Sequence, residues 1–194
     1  MARRLHKTFF VAHHSRGFTL VEMMIVVVIV SILATLSVLG YRKLVQSAHV
    51  SEATSMVNNI RVAQEAYHAE TQGYANCMPN LTGATSWYPQ QSVYGVLTQW
   101  GAACGSCNAG YDISQVLPVH VDGPVLFGYA TIAGSAGTAG TAIPNNCNIS
   151  SLTTPATDWY AIAAEADLDG VVTTHTDVCG FSWTNQVFVY NEGL

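Results

Sequence analysis

The chain is poor in positive charge, and most of what it has sits at one end. Of its seven Lys and Arg residues, Arg3, Arg4, Lys7 and Arg16 precede Gly17 and only Arg42, Lys43 and Arg61 follow, while all twelve acidic residues lie beyond Gly17. Without residues 1–17 the side chains carry three cations against twelve acids, a net charge of −9 in place of −5. A surface of that sign repels nucleic acid and anionic lipid, so no direct nucleic-acid contact is expected. Catalytic signatures are also missing: there is no nucleophile elbow, phosphate loop, HExxH or paired-carboxylate pattern. The chain therefore reads as a non-enzyme without a cofactor. Cysteine is absent until Cys77, and proline until Pro79. Apolar residues make up 49% of the sequence, too many for a disordered chain.

What is present is one long apolar run. Residues 18–40 read FTLVEMMIVVVIVSILATLSVLG, 23 residues whose only charge is Glu22. As a helix this covers about 34 Å, enough to cross a bilayer once. The basic residues ahead of it make the N-terminus the cytoplasmic end, and the remainder is exported. All five cysteines fall on the exported side, where disulfides form. A secretory signal would place its cleavage site after the apolar core, whereas the notable junction here, Arg16-Gly17-Phe18, precedes it.

Gly17-Phe18-Thr19-Leu20-Val21-Glu22 followed by an uninterrupted apolar stretch resembles the leader of type IV prepilins and of the pseudopilins of type II secretion. The resemblance extends through Ser51-Glu52-Ala53 and Gln64-Glu65-Ala66-Tyr67 to Gly73-Tyr74, roughly the first 75 residues. It implies cleavage between Gly17 and Phe18 by a membrane prepilin peptidase, N-methylation of Phe18, and retention of the apolar segment. The domains implied are a leader at 1–17, a transmembrane and assembly segment at 18–40, and a head at 41–194 that includes the amphipathic half of the helix. A carboxylate within hydrocarbon costs about 2.5 to 3.5 kcal/mol on the most lenient scale and needs a partner. The resemblance supplies one for Glu22, the Phe18 amine of a neighbouring subunit.

Beyond the membrane segment the helical pattern continues to Gly73, with Ala53, Met56, Val57, Ile60, Ala63 and Tyr67 at three- and four-residue steps. Glu52, Thr54, Asn58, Arg61, Glu65 and His68 tend to the other side, and Val62 falls off the apolar stripe. A single helix from Phe18 to about Gln72 would run about 80 Å. Tyr67 reads as core packing. A short strand is expected near residues 92–100, strands at 116–121 and 125–132, a low-complexity loop at 133–142, and a closing strand at 187–190. The clearest hairpin pairs 159–165 with 171–175 through Asp167, Leu168, Asp169 and Gly170. A long helix on an antiparallel sheet is an α+β arrangement, and it is the pilin fold that the resemblance implies.

Cys104-Gly105-Ser106-Cys107 has the spacing of a redox or zinc pair, but no second pair is spaced to complete a zinc site, and His120 and His175 would join one only by accident of folding. An exported disulfide is the better reading, and sequence alone leaves its connectivity open. The resemblance favours Cys147 with Cys179, plus one bridge drawn from Cys77, Cys104 and Cys107, with a thiol left over. Asp167, Asp169 and Gly170 echo the opening of a calcium loop, yet Val171 and Val172 take the next places and no glutamate stands at the twelfth. A tight turn is preferred to a metal site.

Three functions follow in order. The first is a structural subunit of a type IV pilus for adhesion, twitching motility or DNA uptake, any DNA contact falling to other subunits. The second is a minor pilin or a type II secretion pseudopilin. The third is a membrane-anchored binding module that never polymerises. The expected partners are other pilin subunits, the prepilin peptidase, an inner-membrane assembly platform, and lipid before assembly. The expected location is the inner membrane, then a surface fibre.

Overall fold

The computed structural model describes residues 17–77, 87–89, 95–101, 113–138, 147, 155–168, 170 and 175–192. The chain divides into two units, Met1–Tyr41 and Arg42–Leu194. One helix, α1 (Leu20–Thr71), contributes to both.

In the first unit α1 is apolar on every side, and each described residue is exposed. It is long and apolar enough to cross a membrane. Its few hydroxyls are satisfied inside the helix: Ser31, Thr35 and Ser37 donate to the carbonyls of Val27, Ser31 and Leu33 at 2.7, 2.9 and 2.8 Å. That pattern suits a helix in hydrocarbon, where no water can take a free hydroxyl proton.

In the second unit α1 becomes one-sided. Val50, Ala53, Met56, Val57, Ile60, Ala63 and Gln64 are buried, Tyr67 packs partly buried against the core, and Val62 stays exposed. The remaining elements are β1 (Thr98–Gln99), α2 (Ile113–Val116), β2 (Pro124–Val125), β3 (Gly128–Gly134), β4 (Trp159–Ala166), β5 (Thr176–Phe181) and β6 (Thr184–Tyr190). Strands β3-β4-β5-β6 form an antiparallel sheet in chain order, and β1 pairs with β2 in a separate ribbon. The outer edge of β3 is not bare: Tyr88 and Tyr129 exchange backbone hydrogen bonds of 2.8 Å, and the Cys77 amide donates to the Thr131 carbonyl. The α+β organisation is thus a helix packed on an antiparallel sheet, consistent with the pilin fold.

Helix and sheet come close at Gly180, where a Cβ would lie 2.7 Å from Val57 Cγ1. Polar residues then anchor the helix on either side of that point. The Arg61 guanidinium donates to the carbonyls of Phe181, Thr184 and Asn185, which form the β5–β6 turn. The buried Gln64 amide donates to the Ala75 carbonyl and Thr131 Oγ1 and accepts from the Ala75 amide. Glu65 accepts from the hydroxyls of Tyr160 and Tyr74. Arg61 and Glu65 therefore flank the buried stripe and bind the sheet, where periodicity had placed them facing away.

Four strand expectations need correction. The hairpin partner of β4 is Thr176–Phe181, with Ala166 opposite Thr176 and Ala161 opposite Phe181, so the two strands are joined through 167–175; of the expected partner at 171–175, residues 171–174 lie outside the described residues. Strand propensity favoured Val171-Val172 over Thr176–Phe181, yet every residue of β5 is buried, on both faces of the sheet and including Asp177. Residues 116–121 form no strand, because α2 ends at Val116 and Pro118 follows with no amide to donate. The run at 125–132 is split, with β2 ending at Val125 and β3 starting at Gly128, while Ala133 and Gly134 extend β3 into the expected loop. The strand near 92–100 is only Thr98–Gln99, residues 92–94 lying outside the described residues.

Gly180→Val adds three side-chain carbons, the first of them already at Val57, and the expected cost is about 1 to 3 kcal/mol. Thermal unfolding of the detergent-solubilised chain should show it. Combining it with Val57→Ala should cost less than the sum of the two single changes. Simple additivity would show that the close approach does not decide stability there.

Candidate functional site

The chemistry suggested by the sequence lies at the start of α1. Gly17 and Phe18 precede the helix and are exposed, Phe18 by 73%, so the junction between them is open to a protease. Thr19 begins the helix as its cap. Its hydroxyl accepts from the Glu22 amide at 3.2 Å, and its carbonyl accepts from the Met23 amide at 3.2 Å. Thr19-Leu20-Val21-Glu22 has the spacing of a capping box, a signal present in the sequence, and it fixes where the helix starts relative to the Gly17–Phe18 bond. Glu22 thereby falls in the first turn, where a negative charge complements the helix dipole. It is exposed, as is every apolar residue of that segment. One acid on a wholly apolar rod is free to meet a partner from another molecule.

Among the cysteines, Cys147 and Cys179 are joined, with Cα atoms 5.9 Å apart. Strand alternation puts Cys179 on the sheet face opposite Gly180 and α1, so the bridge fastens residue 147 to the far side of the sheet. Cys77 is buried. Cys104 and Cys107 lie outside the described residues, as does Asp169. Asp167 Oδ1 accepts from the Gly170 amide at 2.7 Å, a local turn bond. Among the described residues no group of three or more His, Cys, Asp or Glu is arranged to hold a metal ion.

A polar cluster that sequence reasoning missed sits between β4 and β5. Glu165 stands opposite Asp177 in the ladder, and its carboxylate meets His175 Nδ1 at 2.8 Å. Asn191, at φ 56°, donates to the His175 carbonyl and accepts from the Thr176 hydroxyl, tying the end of β6 to the same place. Nothing in the sequence reveals this grouping, since it depends on the length of the 167–175 connection. Burial, and then the Asp177 charge, raise the Glu165 pKa above its ordinary 4.5, with His175 opposing. A carboxyl raised on folding contributes stability that is present below its unfolded pKa and is lost as pH rises through the folded one.

The wild-type melting temperature should therefore fall relative to that of Glu165→Gln as pH is raised from about 4 toward neutrality. A pH-independent difference between the two would show that Glu165 does not carry this linkage.

No curated protein and no solved structure matches the chain. A family model does match, over residues 12–38, and it spans the junction, the Thr19 cap, Glu22 and most of the apolar run: it is described as the prokaryotic N-terminal methylation motif. The motif points to a structural protein, and with the apolar helix it fits a membrane-anchored precursor. Over these residues the chain is similar to the class III leader of type IV pilins and pseudopilins.

Proposed function

We propose that this chain is a structural subunit of a type IV pilus, processed at the Gly17–Phe18 bond and polymerised through residues 18–40. The observation that carries the reading is a methylation motif laid over an exposed apolar helix whose single charge is Glu22. Leader residues Arg3, Arg4, Lys7 and Arg16 hold the N-terminus on the cytoplasmic side, so the exposed Gly17–Phe18 bond lies at that face for the prepilin peptidase. Cleavage leaves a Phe18 amine, N-methylated in this reading, just ahead of the helix. From the inner membrane an assembly platform then moves the subunit from lipid to fibre. In the fibre, apolar helix faces replace lipid at little cost, and the pairing of Glu22 with a neighbour's Phe18 amine sets the axial offset. Head residues 41–194 face outward, braced by the Cys147–Cys179 bridge. A minor pilin or a type II secretion pseudopilin shares the first 75 residues of this scheme and differs in abundance within the fibre.

Intact mass of protein from the native cell should give a mature chain that starts at methylated Phe18. A chain starting at Met1, or beyond Gly40, would overturn the processing step. Glu22→Ala should leave insertion and cleavage nearly intact, since an apolar residue suits lipid better, while lowering the ratio of sheared fibre to membrane pool by at least about tenfold. Wild-type fibre yield from this variant, in cells with no other copy, would favour the anchored module that never polymerises.

A further inference from the structure

The head has a groove beside α1 that the scheme above does not use. It encloses about 320 Å³ and is lined by Glu52, Ser55, Met56 and Asn59 from the helix, the segment His120-Val121-Asp122, and Val125 and Tyr129. Its floor is apolar and its rim is acidic. Glu52 lies 3.7 Å from His49, and Asp122 lies 3.3 Å from His120 with both side chains almost wholly in solvent. Tyr129 is fully buried, yet among the described residues its hydroxyl has no hydrogen-bond partner. Burial, and then the Glu52 charge, push the Tyr129 pKa upward, so the hydroxyl remains a neutral group beside the groove. An unpartnered phenol with two carboxylates over a floor of Met56, Val121 and Val125 suits a long cationic side chain, which rests its alkyl stem on apolar surface and keeps its head among acceptors.

The chain itself carries such cations. Of the three beyond Gly17, Arg61 is engaged with the β5–β6 carbonyls. Arg42 and Lys43 are exposed and, among the described residues, in no ion pair. Copies with three cations and twelve acids repel one another, and these two side chains are what can offset that repulsion. We propose that the groove receives Lys43, with Arg42 beside it, from a second copy of the chain, Glu52 and Asp122 pairing the cation and the Tyr129 hydroxyl accepting from it. The inference rests on the fibre reading for its second copy. It also agrees with it in chain order: Phe18 precedes Glu22 and Lys43 precedes Glu52, so in each contact the cation lies N-terminal to its acidic partner.

Lys43 is the only lysine beyond Gly17, which makes amide formation by a zero-length carbodiimide a direct test. Two full-length variants are co-expressed in native cells, one with Lys43→Arg and the other with Glu52→Gln and Asp122→Asn. An amide between Lys43 and Glu52 or Asp122 can then arise only between copies. Peptide mapping of the sheared fibres and of the membrane pool should find it. Absence of that amide, with or without fibres, overturns the proposal, as does a link from Glu52 or Asp122 to a lysine of another protein. The amide in a membrane that yields no fibre would support the groove and count against the fibre reading alone. Arg42→Glu with Lys43→Glu should lower fibre yield at least about tenfold, with Glu52→Lys and Asp122→Lys in the same chain restoring most of it. Unchanged yield from the acidic variant would overturn the proposal while leaving the fibre reading intact.

Discussion

An apolar helix surface of more than twenty residues has to be covered, by lipid or by other helices of the same kind. Every described residue from Gly17 to Gly40 is exposed in the isolated chain, and the hydroxyls of Ser31, Thr35 and Ser37 are already bonded to their own helix. Nothing in that stretch asks for water, and only Glu22 asks for a specific partner. A charge of that kind is expensive in hydrocarbon when single and directional when paired. The rest of the apolar surface offers packing that is nearly indifferent to sliding. In the proposed fibre the two parts divide the work, the apolar surface giving association and Glu22 giving register.

The head solves a different problem, that of holding half of a continuous helix against a sheet. Gly180 lets Val57 approach the backbone of β5. Arg61, Gln64 and Glu65 then spend their polar groups on the β5–β6 turn, on Ala75 and Thr131, and on Tyr160. A buried amide satisfied on both its oxygen and its nitrogen fixes the helix rotation more tightly than apolar contacts do, because a displaced Gln64 would leave the Ala75 amide and carbonyl unpaired. With Arg61 committed, the head keeps Arg42 and Lys43 as its exposed cations on an otherwise acidic molecule.

Much of the helix was legible in the sequence, since a run of apolar residues without proline and then an apolar stripe at helical spacing both report on local geometry. The stripe was misread only at its margins. Arg61 and Glu65 sit one position beside buried residues, where long side chains reach the sheet even though periodicity points them outward. Gln64 was assigned to neither side, and its partners at Ala75 and Thr131 lie elsewhere in the chain. The sheet was harder to read, because Thr176–Phe181 holds Asp177, Cys179 and Gly180 and looks poor in strand character, while the preceding Val-Val-Thr-Thr looks rich. Burial on both faces of the sheet is a tertiary effect that propensity does not contain. At the candidate site Glu22 stood out as the single charge of the apolar run, and the Gly17–Phe18 junction through the resemblance of its surroundings to the prepilin leader. The Thr19 cap was written in the same residues, and the cluster of Glu165, His175 and Asp177 was not, as it depends on a register set by a long connection.

The account turns on whether Glu22 of one subunit meets the Phe18 amine of another. An electron cryomicroscopy reconstruction of sheared fibres, at a resolution that shows side chains, measures this separation directly. The account predicts the two groups within about 4 Å of each other across a subunit boundary, with the same axial offset repeated along the fibre. A fibre of this chain in which Glu22 faces solvent, or is paired only within its own subunit, would contradict it.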